Sequence, residues 1–156
     1  MKKKLVILGG GESGIGAALL AKKNGLKIFL SDSGIILKKY KKILIKNKIP
    51  FEEKGHTENI ITKETIKIIK SPGISKKNVF IKKIHFLGIP IQSELEFGKS
   101  YLYNSYIISI TGSNGKTTTS TILYKIIKNE GINVGIAGNI GHSFSKEVIK
   151  KKKFMY

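Results

Sequence analysis

Lys116 and Thr117 are the residues of this 156-residue sequence whose chemistry is simplest to name. They close the stretch Ile110-Thr111-Gly112-Ser113-Asn114-Gly115-Lys116-Thr117-Thr118-Thr119. A lysine at that point of a glycine loop brings a full positive charge to the β- and γ-phosphates of a nucleotide, and a following threonine hydroxyl can ligate Mg²⁺. Gly112, Ser113, Asn114, Gly115 and Thr118 would form the cradle, with backbone N–H groups turned inward and a helix N-terminus adding partial positive charge. The strict pattern G-x-x-x-x-G-K-[ST] would require glycine at 110, where this chain has Ile110; the glycine comes instead at Gly112. The stretch is therefore a variant P-loop. The apolar run Tyr106–Ser109 precedes it, and Ile122, Leu123, Ile126 and Ile127 follow at helical spacing. Strand, loop and helix start stand in the order that phosphate binding needs. The bland alternative is a Gly-Asn turn that merely precedes a lysine.

A second constellation lies at the other end of the chain. Lys4 to Leu8 is a short apolar strand that runs into Gly9-Gly10-Gly11-Glu12-Ser13-Gly14, a G-x-G-x-x-G sequence. A helix follows, with Ile15, Ala18, Leu19 and Ala21, and closes at Asn24-Gly25. The strand Lys27 to Leu30 then ends at Ser31-Asp32-Ser33. Such a βαβ unit lets a diphosphate approach a helix N-terminus, and it places Asp32 to accept from a ribose or base. The pattern specifies a nucleotide-type ligand but not which one. A tight strand–helix turn without ligand is the alternative.

These two sites need an α/β scaffold, and the intervening sequence supplies its pattern. Residues 36 to 48 read as a lysine-rich amphipathic helix with Leu37, Tyr40, Ile43 and Leu44 on one side. Ile66 to Ile69 reads as a buried strand ending in Ser71-Pro72-Gly73, a turn at the carboxyl end of a strand, where open α/β sheets bind ligands. A helix near Val79 to Phe86 and a strand at Ile89 to Ile91 complete a layer of parallel strands with helices on both faces. The expected fold is thus a Rossmann-like parallel-sheet domain over 1–92, a connecting helix over 93–105 capped by Ser93, and the truncated start of a P-loop α/β domain over 106–156. That last unit contains the P-loop helix, a strand at Asn133 to Ile136, Ala137-Gly138-Asn139-Ile140-Gly141, and a helix around Ser143 to Ile149. His56, His85 and His142 share no metal-ligand spacing and read as surface or loop residues.

Composition narrows the classes. The chain is 40% hydrophobic and 25% charged, ordinary for a globular protein. No apolar run is long enough to span a bilayer. Met1 to Leu8 imitates a signal peptide, but glycines end the apolar run after four residues and no cleavage site follows. The absence of cysteine rules out disulfides and thiolate metal sites. A cytoplasmic monomer is the expectation. The net charge of +19 invites a nucleic-acid reading. Yet all 29 basic residues are lysine, spread along the whole chain, and the better fork for phosphates and bases, arginine, is absent. The excess reads as the product of an A+T-rich coding sequence, with neither nucleic acid nor membrane as partner.

Thr111 to Thr118 resembles the ATP loop of the Mur ligases, the amide-bond ligases of peptidoglycan precursor synthesis; folylpolyglutamate synthases share part of that motif. Gly9-x-Gly11-x-Ser13-Gly14, Ser31-Asp32, Ser71-Pro72-Gly73-Ile74 and Gly138-Asn139-Ile140-Gly141 together resemble the branch that adds D-glutamate to UDP-N-acetylmuramoyl-L-alanine. The resemblance implies that Gly11, Ser13, Gly14, Asp32, Ser33, Ser71, Pro72 and Gly73 hold the UDP-sugar, with Asn139 near its reacting end. It implies that Gly112 to Thr118 bind ATP, with Thr117 on Mg²⁺ and Lys116 as the catalytic cation. The family phosphorylates the terminal carboxylate of the UDP-sugar-alanine, and the amine of D-glutamate attacks the acyl phosphate. The family's second Mg²⁺ ligand, a modified lysine, a histidine and the D-glutamate-binding domain would all fall after position 156. The chain matches about the first third of such an enzyme. Residues 1 to about 92 are expected to fold alone, and proteolysis to leave a core ending near Ser93 to Tyr103.

Overall fold

The computed structural model describes residues 3–75, 77–138 and 142–151. Its centre is β1 (Lys4–Leu8), where Val6, Ile7 and Leu8 are fully buried. A strand apolar on both faces must be covered on both, which is the situation of a central parallel strand. Leu5 and Ile7 point into one layer with Ile15, Leu20, Leu30, Leu44 and Phe97. Val6 and Leu8 point into the other with Ile68, Ile81 and Ile84. The two-residue period of the strand divides the core in this way.

The first layer comes from α1 (Glu12–Lys23) and α2 (Lys38–Lys46), which connect β1 to β2 (Lys27–Ser31) and β2 to β3 (Phe51–Glu52). A 3₁₀ turn (Glu58–Ile60) then carries the chain across to β4 (Thr65–Lys70), and α3 (Val79–Phe86) covers the second face before β5 (Ile91–Ser93). The resulting five-stranded sheet is parallel, with order β3-β2-β1-β4-β5. Leu5 lies opposite Ile28 and Ile7 opposite Leu30 on one side of β1; Val6 lies opposite Ile68 on the other. The order reverses between β1 and β4, so the crevice for a ligand opens at the carboxyl ends of those strands.

Several boundaries differ from the sequence expectation, each for a local reason. Leu37 does not join the buried side of α2: it is the N-cap and exposed, and Ile36 is buried in its place. The last strand begins at Ile91 rather than Ile89, because its partner residues Ile68 to Lys70 set the register. The connecting helix is shorter than expected. It is α4 (Glu94–Lys99), opened by a capping box in which the Ser93 hydroxyl accepts from the Glu96 N–H and the Glu96 carboxylate accepts from the Ser93 N–H.

The expected strands Tyr106 to Ile110 and Asn133 to Ile136 are not strands. They line a shared cavity with α5 (Lys116–Asn129), and among the described residues the pairing near them is the isolated parallel bridge Ala137–His142. Parallel strands need ladder partners and cover on both faces; among the described residues these segments have neither. Tyr106 is 99% exposed, and α5 buries none of its residues. Ile108, Ile110, Leu123, Ile127, Val134 and Ile136 line the open space of about 630 Å³ between them.

The final helix does find a core. α6 (Phe144–Lys151) packs on α1 and α4 of the first layer, with Val148 and Ser145 buried. Close approach is possible because Gly16 of α1 faces the Ser143 hydroxyl and Gly98 of α4 faces the Phe144 ring. The packed body therefore combines the elements of residues 3–102 with α6. Given this packing, limited proteolysis that cuts between 103 and 136 is expected to leave α6 associated with α1 and α4 beside the core expected to end near Ser93 to Tyr103.

Candidate functional site

Three loops meet at the carboxyl ends of β1, β2 and β4. The first is Gly9 to Gly14. Gly9 has a φ of 101° and sits against Ser71, so a side chain there would meet both strain and collision. Gly14 rests its Cα on the Gly9 carbonyl oxygen, closing the turn. The first intrahelical bond of α1 runs from the Ile15 N–H to the Gly11 carbonyl, which leaves the N–H groups of Glu12, Ser13 and Gly14 ahead of it. Such donors at the start of a twelve-residue helix suit an anion.

The second loop follows β2. Asp32 accepts from the Gly10 N–H through Oδ2 and from the Gly34 N–H through Oδ1 at 2.7 Å. The carboxylate thus ties the tip of β2 to the glycine turn, and Ser33 is exposed beside it. Each carboxylate oxygen retains a lone pair for a ligand hydroxyl. The third loop follows β4. Lys70 donates to the carbonyl oxygens of Ser71 at 3.1 Å and Ile74 at 2.6 Å, and so pins the turn that exposes Pro72 and Gly73. Ser71 Oγ is buried and has no hydrogen-bond partner among the described residues. A buried hydroxyl left unpaired beside a glycine turn and a helix N-terminus fits a polar ligand atom.

His56 is a loop residue, as expected, but half-buried and with contacts the sequence did not foretell. Its Nδ1 lies 2.6 Å from Ser31 Oγ, and its ring stacks on Phe80 at 4.8 Å. Ser31 Oγ also donates to Glu52 at 2.6 Å. Burial alone would push the Glu52 carboxyl up, but bonds from Ser31 and Thr57 hold it below its usual value. The chain Glu52–Ser31–His56–Phe80 ties the ends of β2 and β3 to α3. It has no sequence signature, since its members are connected only by the fold. His85 and His142 are exposed, as expected.

The other loop, Gly112 to Thr118, is exposed throughout. Gly115 caps α5 with φ 76°, and the first intrahelical bond runs from Thr119 N–H to the Gly115 carbonyl. The N–H groups of Lys116, Thr117 and Thr118 lie ahead of it. Lys116 Nζ donates to the carbonyl oxygens of Gly112 and Ser113, folding the cation over its own loop. This donor set fits a phosphate chain. For a divalent cation, the described residues contribute the Thr117 hydroxyl and hold no cluster of three or more acidic, histidine or cysteine side chains. Mg²⁺ bound through phosphate oxygens and water is compatible with so spare a set. Asn139 lies outside the described residues.

A 3-2-1-4-5 parallel sheet with a glycine turn at its switch point, followed by a P-loop-type helix start, is the architecture of an open α/β protein. The family comparisons are more specific. The MurD N-terminal domain model matches residues 4–79, and the Mur ligase middle domain model matches residues 110–154. The chain belongs to the Mur ligase family, with a MurD-type N-terminal match followed by a middle-domain match.

Among similar curated proteins, the UDP-N-acetylmuramoylalanine–D-glutamate ligase of Christiangramia forsetii is 49% identical over 151 residues, covering 97% of this chain and 34% of that protein. The protein of the same name from Porphyromonas gingivalis W83 is 48% identical over 148 residues, covering 95% and 32%. The chain thus spans about a third of the length of the curated relatives it matches. Among solved structures, the pseudomurein peptide ligase type C of Methanothermus fervidus superposes with a TM-score of 0.56 at 27% identity, covering 86% of this chain and 29% of that one. The UDP-N-acetylmuramate:L-alanyl-gamma-D-glutamyl-meso-diaminopimelate ligase of Neisseria meningitides gives a TM-score of 0.61 at 21% identity, with 92% and 46% coverage. At that identity the likeness concerns the fold.

Proposed function

We propose that this chain is the nucleotide-sugar-binding and ATP-loop portion of a ligase that joins D-glutamate to UDP-N-acetylmuramoyl-L-alanine in peptidoglycan precursor synthesis. One observation carries the reading: the glycine turn, Asp32 and the unpaired Ser71 hydroxyl converge where the sheet order reverses. Gly11, Ser13 and Gly14 would receive the diphosphate at the α1 N-terminus. Asp32, Ser33, Ser71, Pro72 and Gly73 would hold the nucleoside end, and Asn139 the sugar-peptide. ATP, when bound, would supply the phosphoryl group that activates the carboxylate. Gly112 to Thr118 would orient its phosphates, Thr117 would hold Mg²⁺, and Lys116 would leave its carbonyl partners to neutralise charge on the transferring group. A protein that consumes ATP and a nucleotide sugar works where both are held, in the cytoplasm, and the reading takes it as a monomer.

Calorimetric titration tests the first site. Saturable UDP binding with no response to NAD is expected. Saturable NAD binding with no response to UDP would make the glycine turn a dinucleotide site and overturn the assignment.

Asp32→Ala should weaken UDP binding by about 1.5–3 kcal/mol, the cost of a charge-assisted hydrogen bond. The observed bonds to Gly10 and Gly34 add a second route to the loss, because the variant also frees the turn. Asp32→Asn separates the two: its Oδ1 can still accept from one N–H, so it should fall between wild type and alanine. An unchanged dissociation constant for both variants would reduce Asp32 to a loop clip.

The 156-residue chain by itself is expected not to ligate. Lys116 and Thr117 stand on a helix with no buried residue, and alignment of reacting groups carries much of a ligase's rate. The measurement is phosphate release from ATP that depends on both UDP-N-acetylmuramoyl-L-alanine and D-glutamate. Such release from this chain alone would sink the prediction.

A further inference from the structure

We infer that Glu12 couples the glycine turn to α6, so that docking of α6 raises the affinity of the turn for a phosphorylated ligand. This rests on the reading of that turn as an anion site. Glu12 is the first residue of α1 and follows Gly11 directly. Its Oε1 accepts from Lys146 Nζ at 2.7 Å and from the Ser143 N–H at 3.2 Å. Its Oε2 accepts from the Tyr40 hydroxyl at 3.1 Å. Burial alone would push this carboxyl up, yet the Lys146, Ser143 and Tyr40 bonds hold it below its usual value. Lys146 and Ser143 belong to the segment that follows the P-loop helix in sequence and packs against α1 in space.

The electrostatics give the coupling its sign. A carboxylate at the first turn of a helix is favourable while the N-terminus is empty. It opposes a diphosphate that arrives at the same N-terminus. With α6 docked, Lys146 offsets the Glu12 charge and two N–H-type donors occupy Oε1. With α6 undocked, the bare carboxylate competes with the ligand. By linkage, a bound anion must then favour the docked state to the same extent. Lys146 is a positioning residue that acts through Glu12.

The test uses Lys146→Met, whose apolar stem keeps the packing of a side chain only 18% exposed, and Glu12→Gln, which keeps an acceptor for Ser143. UDP and inorganic pyrophosphate are titrated into the wild-type chain, each single variant and the double variant. Lys146→Met is expected to bind about fivefold more weakly at low salt, the effect of one uncompensated charge near the ligand. The loss should shrink at about 1 M salt, where the Debye length is about 3 Å. Adding Glu12→Gln to Lys146→Met should restore affinity, because the repelling charge is gone. A merely structural role for the pair predicts no rescue. Lys146→Met with wild-type affinity, or a double variant as weak as Lys146→Met, would overturn the inference. A chain that binds pyrophosphate with this pattern but ignores UDP keeps the coupling and removes the nucleotide reading; one that binds neither overturns both. Proteolysis supplies a readout independent of calorimetry: the ligand should slow cleavage within residues 142–151 in wild type and leave it unchanged in the double variant.

Discussion

Gly14→Ala is expected to lower the thermal midpoint of this chain by about 10 °C and to abolish UDP binding, although alanine is the better helix former by about 1 kcal/mol. The reason lies in the turn. Gly14 is buried in the first turn of α1, and a Cβ there would collide with the backbone carbonyl of Gly9 and lie 3.5 Å from Ile7 Cγ2. A backbone atom cannot rotate away, so α1 must move off β1, at a cost of about 3 kcal/mol or more, the upper range for overpacking. Moving α1 also withdraws the N–H groups of Glu12, Ser13 and Gly14 from the crevice. Gly11→Ala is the control. Gly11 has φ −82° and ψ −169° and nothing near its would-be Cβ, so that variant should keep its thermal midpoint. Thermal unfolding followed by circular dichroism, with UDP titration of each variant, makes the comparison. Equal midpoints for the two variants would mean that α1 does not seat on Gly9 as described.

Lys116→Ala should remove ligase turnover while UDP affinity stays within about twofold of wild type, measured in a chimera completed with the remaining sequence of a full-length relative. Loss of one preorganised group that stabilises developing charge costs about 10²–10³ in rate, and a phosphate-binding cation belongs at the upper end or beyond. The selectivity follows from where the two loops sit. Among the described residues Lys116 Nζ bonds within its own loop, to Gly112 and Ser113, whereas the loops proposed to hold UDP gather on β1, β2 and β4. Lys116→Arg is informative as well: the charge is kept, but a planar fork replaces a compact ammonium, so turnover should recover only in part. Near-normal turnover in Lys116→Ala would defeat the P-loop assignment.

The sequence by itself determined the elements that carry their own signals. β1, α1 and α3 fall on the residues expected for them, because apolar period, glycine turn and cap are properties of neighbouring residues. The same locality made the glycine fingerprint, the Ser71-Pro72-Gly73 turn and the P-loop helix start legible, together with the family. Only the tertiary structure decided the rest. Tyr106 to Ile110 and Asn133 to Ile136 have the composition of buried strands and are not strands, because a parallel strand exists only in a ladder and theirs is not present among the described residues. Asp32 turned out to serve the turn as well as face the crevice, since its partners Gly10 and Gly34 lie on opposite sides of it in sequence. His56, a half-buried loop residue, is tied to Ser31 and Phe80, contacts that no spacing predicts. The assignment of α6 to the first layer is the clearest case. Its hold on α1 and α4 rests on bonds between residues 131 and 134 positions apart, on a glycine of each helix that admits Ser143 and Phe144, and on the buried Val148. Local propensity could make α6 a helix; only the shape and charge of α1 and α4 could choose where it docks.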